Sequence, residues 1–360
     1  MEKNIDKISV IIPVHNGSKY LNRFYDNLKK QSYKNLEIIF VENFSKDNSA
    51  DLLQAIKIVD SRVKVLESKI PGTSMARKMG VENASGKYIV FMDQDDKYIS
   101  KHALEMMHKT IVETNSSICQ FSIYKEYAYG IKKISKIIDK RTILSAQDVR
   151  EKEIGSIFAS YGGGVLSPTV WSKIYSADVL KDAEKKVNYS LYFAEDLFLN
   201  TCCFCSEKFK KVCVDPCAYY VWNTRVGFSN SSDSGKALIK DYNLIKPQIH
   251  QMLIETHAGE EVIYRLHLES LYFMLVYLRS KFNDNNLQQT YDLINEINNL
   301  PYIQLAKKYV NDDMDKKRRF DELMFLASDF TPKEFYDRFK QNDSSKKESI
   351  TKRIIKRLLK

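Results

Sequence analysis

The alternation of strand-like and helix-like segments over the first 92 residues constrains the fold more than any other feature. Ile8 to Pro13 is a short β-branched run closed by proline, which reads as a buried strand followed by a loop. From Ser18 to Ser32 the apolar residues Tyr20, Leu21, Phe24, Tyr25 and Leu28 recur at helical spacing. A second strand, Leu36 to Val41, precedes a helix over Ser49 to Val59. Then come Val63 to Leu66, a helix near Ser74 to Ala84, and the strand Lys87 to Met92. Such alternation predicts an α/β fold, a parallel sheet covered by helices on both faces, with ligands at the carboxyl ends of the strands. The loops after Ile12, Val41 and Met92 are therefore where chemistry is expected.

Beyond Ala103 the alternation loosens, with strand-like pieces at Ser117 to Tyr124 and Lys211 to Val214 and a glycine turn at Gly162 to Gly164. From about Lys236 the pattern turns helical only. Ala237 to Ile254, Glu261 to Phe282, Leu287 to Ile297 and Pro332 to Phe339 carry 3.6-residue periodicity. This shift divides the chain into residues 1–230, a helical region over 231–343, and a tail over 344–360. A length of 360 residues suits a catalytic-sized domain with an addition rather than a lone binding module.

With 44% hydrophobic and 28% charged residues, and only 12 Gly and 7 Pro, disordered and collagen-like classes are excluded. The formal charge is +10, but the stretch from Ser344 holds seven cations and one anion, leaving the body only mildly basic. Six cysteines without clean CxxC pairing, and a start lacking the apolar core of a signal peptide, point to free thiols in the cytoplasm. Cys202, Cys205, Cys213 and Cys217 have spacings that admit zinc, although buried thiols are the default. No run approaches the roughly 20 apolar residues a membrane span needs.

The acidic loop Asp93–Asp96 follows the third main strand at the expected ligand crevice. Aspartates at i and i+2 can offer two carboxylates to one hard divalent cation, which in turn bridges phosphate oxygens. Taken alone, the same residues also read as a solvated turn capping the next helix.

Three segments in order, ISVIIPVHNGSKYL, LEIIFVENFSKDNS and PGTSMARKMGVENASGKYIVFMDQDD, resemble the family-two inverting glycosyltransferases of the GT-A fold. Further on, Trp171 to Tyr175 is similar to the family's W-x-K-L-Y segment, Glu195-Asp196 to its E-D motif, and Tyr219 to Arg225 to a later Y-Y-x-x-x-x-R stretch. The resemblance covers roughly residues 7 to 230. It implies a mixed, mainly parallel sheet between helices, with a nucleotide-binding half over 1–100 and an acceptor half over 101–230.

By that resemblance Pro13, Val14, His15 and Asn16 line the nucleobase and ribose pocket. Glu42 and Asn43 stand where relatives carry two aspartates, so a uridine acceptor group is retained while its identity stays open between them. Arg77 is implied at uracil or pyrophosphate oxygens, and Lys78 replaces the family's usual asparagine. Asp93, Gln94 and Asp95 belong to the donor site, with Asp93 and Asp95 as ligands of Mn2+ or Mg2+. Asp47, Asn48 and Asp96 are assigned to turns. Asp196 is the expected general base, with Glu195 as the second choice or as an orienting group. Trp171 and Lys173 are acceptor candidates, and Arg225 is a candidate diphosphate clamp.

The implied function is metal-dependent transfer of a hexose from a UDP-sugar to a hydroxyl of a glycan, polysaccharide precursor or glycoprotein. A non-catalytic sugar-nucleotide or glycan-binding subunit is the alternative. The last eleven residues, 350–360, place Ile350, Ile354, Ile355, Leu358 and Leu359 on one face and Lys or Arg elsewhere. They read either as a weak peripheral contact with the anionic inner face of a membrane or as a solvated tail. Nucleic acid is not expected as a partner, and the helical region allows oligomer contacts.

Overall fold

The computed structural model describes residues 5–127, 129–134, 138–158, 164–187, 190–224, 234–283, 285–310 and 330–344. Arg225 and the tail over 350–360 lie outside them, as do Gly162 and Gly163. Two compact units form: residues 1–149 with 165–231, and residues 150–164 with 232–360.

In the first unit, Ile8, Val10, Ile11, Ile12 and Val14 are all fully buried, so β1 (Ile8–Val14) is covered on both faces. It pairs in parallel with β2 (Leu36–Glu42) on one side and with β4 (Tyr88–Phe91) on the other. Helices α1 (Ser18–Lys29), α2 (Ser49–Val59) and α3 (Thr73–Glu82) make the crossovers, and β3 (Val63–Glu67) extends the sheet beyond β2. Neighbours reached in opposite chain directions from β1 create a topological switch point at its carboxyl end.

The second half is mixed. After β5 (Lys97–Tyr98) and α4 (Ala103–Thr114) come β6 (Ile118–Tyr127), β7 (Gly130–Ile134) and β8 (Thr142–Ser145). These are followed by a helical turn α5 (Ala146–Asp148) and, in the other unit, α6 (Gly155–Phe158). The chain then adds β9 (Lys173–Ser176), α7 (Ala177–Glu184), α8 (Glu195–Phe204) and β10 (Lys211–Asn223). Among the described residues the sheet order is β3-β2-β1-β4-β9-β6-β10-β5, with β7 on β6 and β8 on β10. β9 is antiparallel to both β4 and β6, whereas β6 and β10 run parallel.

One buried carboxylate ties the parallel half together. Glu37 is 5% exposed and accepts hydrogen bonds from Ser9 Oγ (2.5 Å) and from the Ser85 and Gly86 N–H groups (2.5 and 3.0 Å). Its other oxygen meets Lys64 Nζ at 2.6 Å. Burial alone would raise its pKa, but these donors outweigh it and hold the group down at about 2.

The cysteines do not gather. Cys202, Cys203 and Cys205 are buried along and just after α8, and Cys213 lies opposite Cys119 in the β10–β6 register. Among the described residues no group of His, Cys, Asp and Glu forms a metal cage, and the six cysteines are free thiols, five of them buried.

The second unit is built from α6 and from α9 (Ser234–Glu255), α10 (Glu260–Lys281), α11 (Leu287–Asn298), α12 (Pro301–Tyr309) and α13 (Pro332–Ser344). The expected boundary at residue 230 misses the excursion at 150–164. Gly155 in it packs so closely on α10 that an added Cβ would lie 3.0 Å from Arg265 Cδ. Lys246 and Glu269 form a buried ion pair that also accepts the Tyr242 hydroxyl at 3.0 Å. No helix among the described residues is long and apolar enough to cross a membrane.

His267, 3% exposed, shares a 3.0 Å hydrogen bond with His250 and stacks on Tyr309. Burial, aided by His250 and Lys246, drives its pKa down to about 3. An unfolded histidine binds its proton near pH 6.5, so the unfolded state gains protons first as pH falls. Stability from this group is complete above pH 6.5 and is lost toward pH 3. We expect the helical unit to lose about 2 kcal/mol between pH 6.5 and pH 5. Urea unfolding followed by circular dichroism at both pH values checks this, and His267→Phe should flatten that pH dependence.

Candidate active site

Three loops at the carboxyl ends of β1, β2 and β4 interlock through side-chain amides. Gln94 donates from Nε2 to the His15 carbonyl (2.8 Å) and accepts the His15 N–H at Oε1 (3.1 Å), so it pairs with both backbone groups of that residue. Gly17 is required for this approach, because a Cβ there would sit 2.1 Å from Gln94 Oε1. His15 Nδ1 lies 2.6 Å from the Asn43 carbonyl, and Asn43 N–H donates to the Val14 carbonyl at 2.8 Å. Asn16, in the left-handed region at φ 49°, accepts the Lys46 N–H at 2.7 Å. Asp47 accepts the N–H groups of Ser18 and Ser49, so it serves the starts of both α1 and α2.

Glu42 and Asn43 are partly committed to the loops themselves. Glu42 accepts the N–H groups of Ser45 (2.6 Å) and Phe44 (3.2 Å), and Asn43 Oδ1 accepts that of Gly72 (3.2 Å). Gly72 has φ 117°, a conformation that glycine alone adopts cheaply, and Ser190 Oγ occupies the space a Cβ would need. Pro13 is part-exposed at the end of β1, while the Val14 side chain belongs to the core.

Arg77 is the hub. Projecting from α3 and 4% exposed, it reaches Asp93 Oδ1 at 3.2 Å, Asp196 Oδ1 at 2.5 Å and Glu195 Oε1 at 3.6 Å. Burial opposes its charge, but Asp196, Asp93 and Glu195 together raise its pKa above the usual arginine value. Expected at uracil or pyrophosphate, its guanidinium is here bound by three carboxylates instead. This joins the loop after β4 to the start of α8, two segments 102 residues apart (Asp93 and Glu195).

Asp196 has both oxygens engaged, since Oδ2 accepts the Val170 N–H at 3.1 Å. Glu195 is freer, and burial together with the Asp196 charge pushes its carboxyl up to about 7. Below Arg77 a small cavity is bounded by Ser74, Glu184, Leu191 and Leu199. Arg77 Nε and Glu184 Oε2 lack a hydrogen-bond partner there, and burial raises the Glu184 carboxyl to about 8.

In the acidic loop, Asp96 is 2% exposed and locks the turn to β10, accepting from the Tyr220 hydroxyl (2.5 Å) and the Asn223 N–H (2.7 Å). Tyr220 Oη also accepts the Asp93 N–H at 3.1 Å. Asp93 keeps 35% of its side chain exposed and Asp95 is half-buried. Burial and the Asp93 charge raise the Asp95 pKa. Asp93 and Asp95 are hard oxygen donors of the kind that would hold a magnesium-like or manganese-like ion.

Lys173 departs from its expected acceptor role. It is fully buried and donates to the carbonyls of Ser167 (2.9 Å) and Thr169. Burial lowers its pKa to about 7. Asn200, also fully buried, donates to Pro168 at 2.6 Å and accepts the Tyr175 hydroxyl at 3.0 Å. Lys173 and Asn200 therefore shape the 167–170 segment that presents Val170 to Asp196. Trp171 is part-exposed and stacks on Tyr220 at 5.2 Å.

Residues 9–162 match the model of glycosyl transferase family 2. The chain is 38% identical over 119 residues to glycosyltransferase GlyA of Streptococcus pneumoniae, covering 33% of this chain and 17% of GlyA. To GlyG of the same organism it is 35% identical over 112 residues, covering 31% of this chain and 37% of GlyG. The chain thus spans well under half the length of either relative. The crystal structure of S. aureus TarS 1–349 in complex with UDP-GlcNAc is similar over 89% of this chain and 87% of that one. Its TM-score is 0.62 at 19% identity, which marks a shared fold of the GT-A type. Over residues 9–162, set in that fold, the chain is similar to glycosyl transferase family 2.

Proposed function

We propose that the chain is an inverting glycosyltransferase that moves a hexose from a UDP-sugar to a hydroxyl of a glycan, polysaccharide precursor or glycoprotein. The observation that carries this reading is the Arg77 bridge, which holds Asp93 and Asp196 on one guanidinium at 3.2 and 2.5 Å. Single displacement needs a carboxylate near the anomeric carbon on the side away from the leaving diphosphate. Support also comes from the family match and from TarS, whose crystals hold UDP-GlcNAc.

In this reading the loops after β1 and β2 hold uridine, with Glu42 and Asn43 facing the base. Asp93 and Asp95 are the residues that would hold Mn2+ or Mg2+, which when bound supplies Lewis-acid neutralisation of the departing diphosphate. Asp196 accepts the acceptor hydroxyl proton, and Arg77 with the Val170 N–H fixes the orientation of its carboxylate. One observation favours Glu195 as the base instead: its pKa near 7 suits proton abstraction at neutral pH. Under the same proposal the basic end over 350–360 contacts an anionic membrane surface.

Asp95→Ala is expected to remove the Mn2+ dependence of UDP binding and to lower affinity by about tenfold or more. Calorimetry with Mn2+ or chelator checks this. Equal affinity in wild type and variant under both conditions would count against the metal assignment.

A further inference from the structure

Two indoles lie between the acidic loop and the start of α8. Trp171 and Trp222 have ring centroids 5.8 Å apart and tilted by 34°, and both are only partly buried. Each is tied to one side of the site. Trp171 follows Val170, whose N–H holds Asp196 Oδ2 at 3.1 Å. Trp222 precedes Asn223, which donates its N–H to Asp96 Oδ1 at 2.7 Å and its side-chain amide to the Asp95 carbonyl at 3.4 Å.

Beside them sits a cation without a counter-ion. Lys125 pairs with Trp222 in the β6–β10 register, and its Nζ stands 4.5 Å from the Trp222 ring centroid. The residue is 9% exposed, and among the described residues no carboxylate pairs with it. The adjacent Glu126 carboxylate is directed to Lys97 at 3.0 Å. Burial pushes the Lys125 pKa down, as expected for an ammonium that has lost water and gained only a ring face. An indole face accepts the C–H surface of a sugar or polyol, and a desolvated ammonium most strongly favours an anion.

We propose that Trp171, Trp222 and Lys125 form the acceptor subsite, and that it takes a sugar or polyol bearing an anionic group, phosphate or carboxylate, held at Lys125. Calling it the acceptor side rests on the glycosyltransferase reading above. The anion preference rests on Lys125 and the two indoles alone.

The chain has only two tryptophans, so its tryptophan fluorescence reports on this platform alone. Glucose, glucose 6-phosphate and glucuronate are titrated with and without UDP and Mn2+. We expect saturable quenching by at least one anionic sugar, with a Kd about tenfold or more below that of glucose. The two anionic probes separate phosphate from carboxylate recognition. Lys125→Met should erase the preference and Lys125→Arg should keep it, with circular dichroism reporting the folding of both. Equal responses to all three sugars in the wild type, or a preference that survives in folded Lys125→Met, would overturn the proposal. A parallel UDP titration keeps the outcomes distinct: failure to bind UDP removes the donor reading, whereas loss of the anion preference removes only the subsite.

Discussion

Asp196→Asn is expected to lower transfer from a UDP-sugar by about 10³-fold, within the range a positioned base contributes, while UDP affinity changes by less than about threefold. The variant keeps the shape but cannot take a proton, and its single amide oxygen can accept from the Val170 N–H or from Arg77 but not from both. The loss should fall on kcat, because the acceptor and donor contacts remain. Glu195→Gln, measured beside it, decides between the two carboxylates: a small effect there with a large one at Asp196 assigns the base. If instead Glu195→Gln abolishes transfer and Asp196→Asn does not, the raised pKa of Glu195 marks the working group.

Arg77→Met is expected to destabilise the first unit by about 3 kcal/mol, because removing one partner of a buried ionic cluster leaves the others uncompensated. Asp93, Glu195 and Asp196 keep 35%, 25% and 20% of their side chains exposed, so solvent relieves part of that cost. The loss should shrink as pH falls, since protonating those carboxylates removes the charge that Arg77 offsets. Transfer should fall by at least as much as in Asp196→Asn, because the base loses its support. Arg77→Lys should recover part of the stability but little of the activity, since one ammonium cannot span Asp93 and Asp196 together. Urea midpoints at pH 7.5 and pH 5.5, with rates for each variant, check these expectations. An Arg77→Met protein as stable as wild type at both pH values would remove Arg77 from the centre of the account.

Why the sequence pointed to some of this and not the rest follows from range. The strands β1, β2 and β4 carry continuous apolar runs because both their faces are covered, and that pattern is local. That Asp93 and Asp95 follow a strand and that Glu195 and Asp196 open a helix was legible, because both motifs stand in a recognisable order. The Arg77 bridge was not, since it depends on α3 and α8 meeting across more than a hundred residues. Lys173 misled for a related reason. In a W-x-K-x-Y string a lysine reads as a polar group reaching a ligand, and only the fold supplies the Ser167 and Thr169 carbonyls that accept its protons inside the core. Glu42 turns back on its own loop, a three-residue contact that composition does not encode. The four-residue β9 is too short for periodicity to reveal, yet it joins the two halves of the sheet. In α12, only Tyr302, Ile303 and Ala306 face inward, too few to stand out from the polar residues around them.

The stereochemistry of the first product tests the central claim most directly. With an α-linked UDP-sugar donor, proton NMR of the transferred sugar should give a β anomer in the wild type, and that signal should vanish in Asp196→Asn. An α-linked product, or an undiminished β product from that variant, would contradict a single displacement assisted by the carboxylate that Arg77 holds.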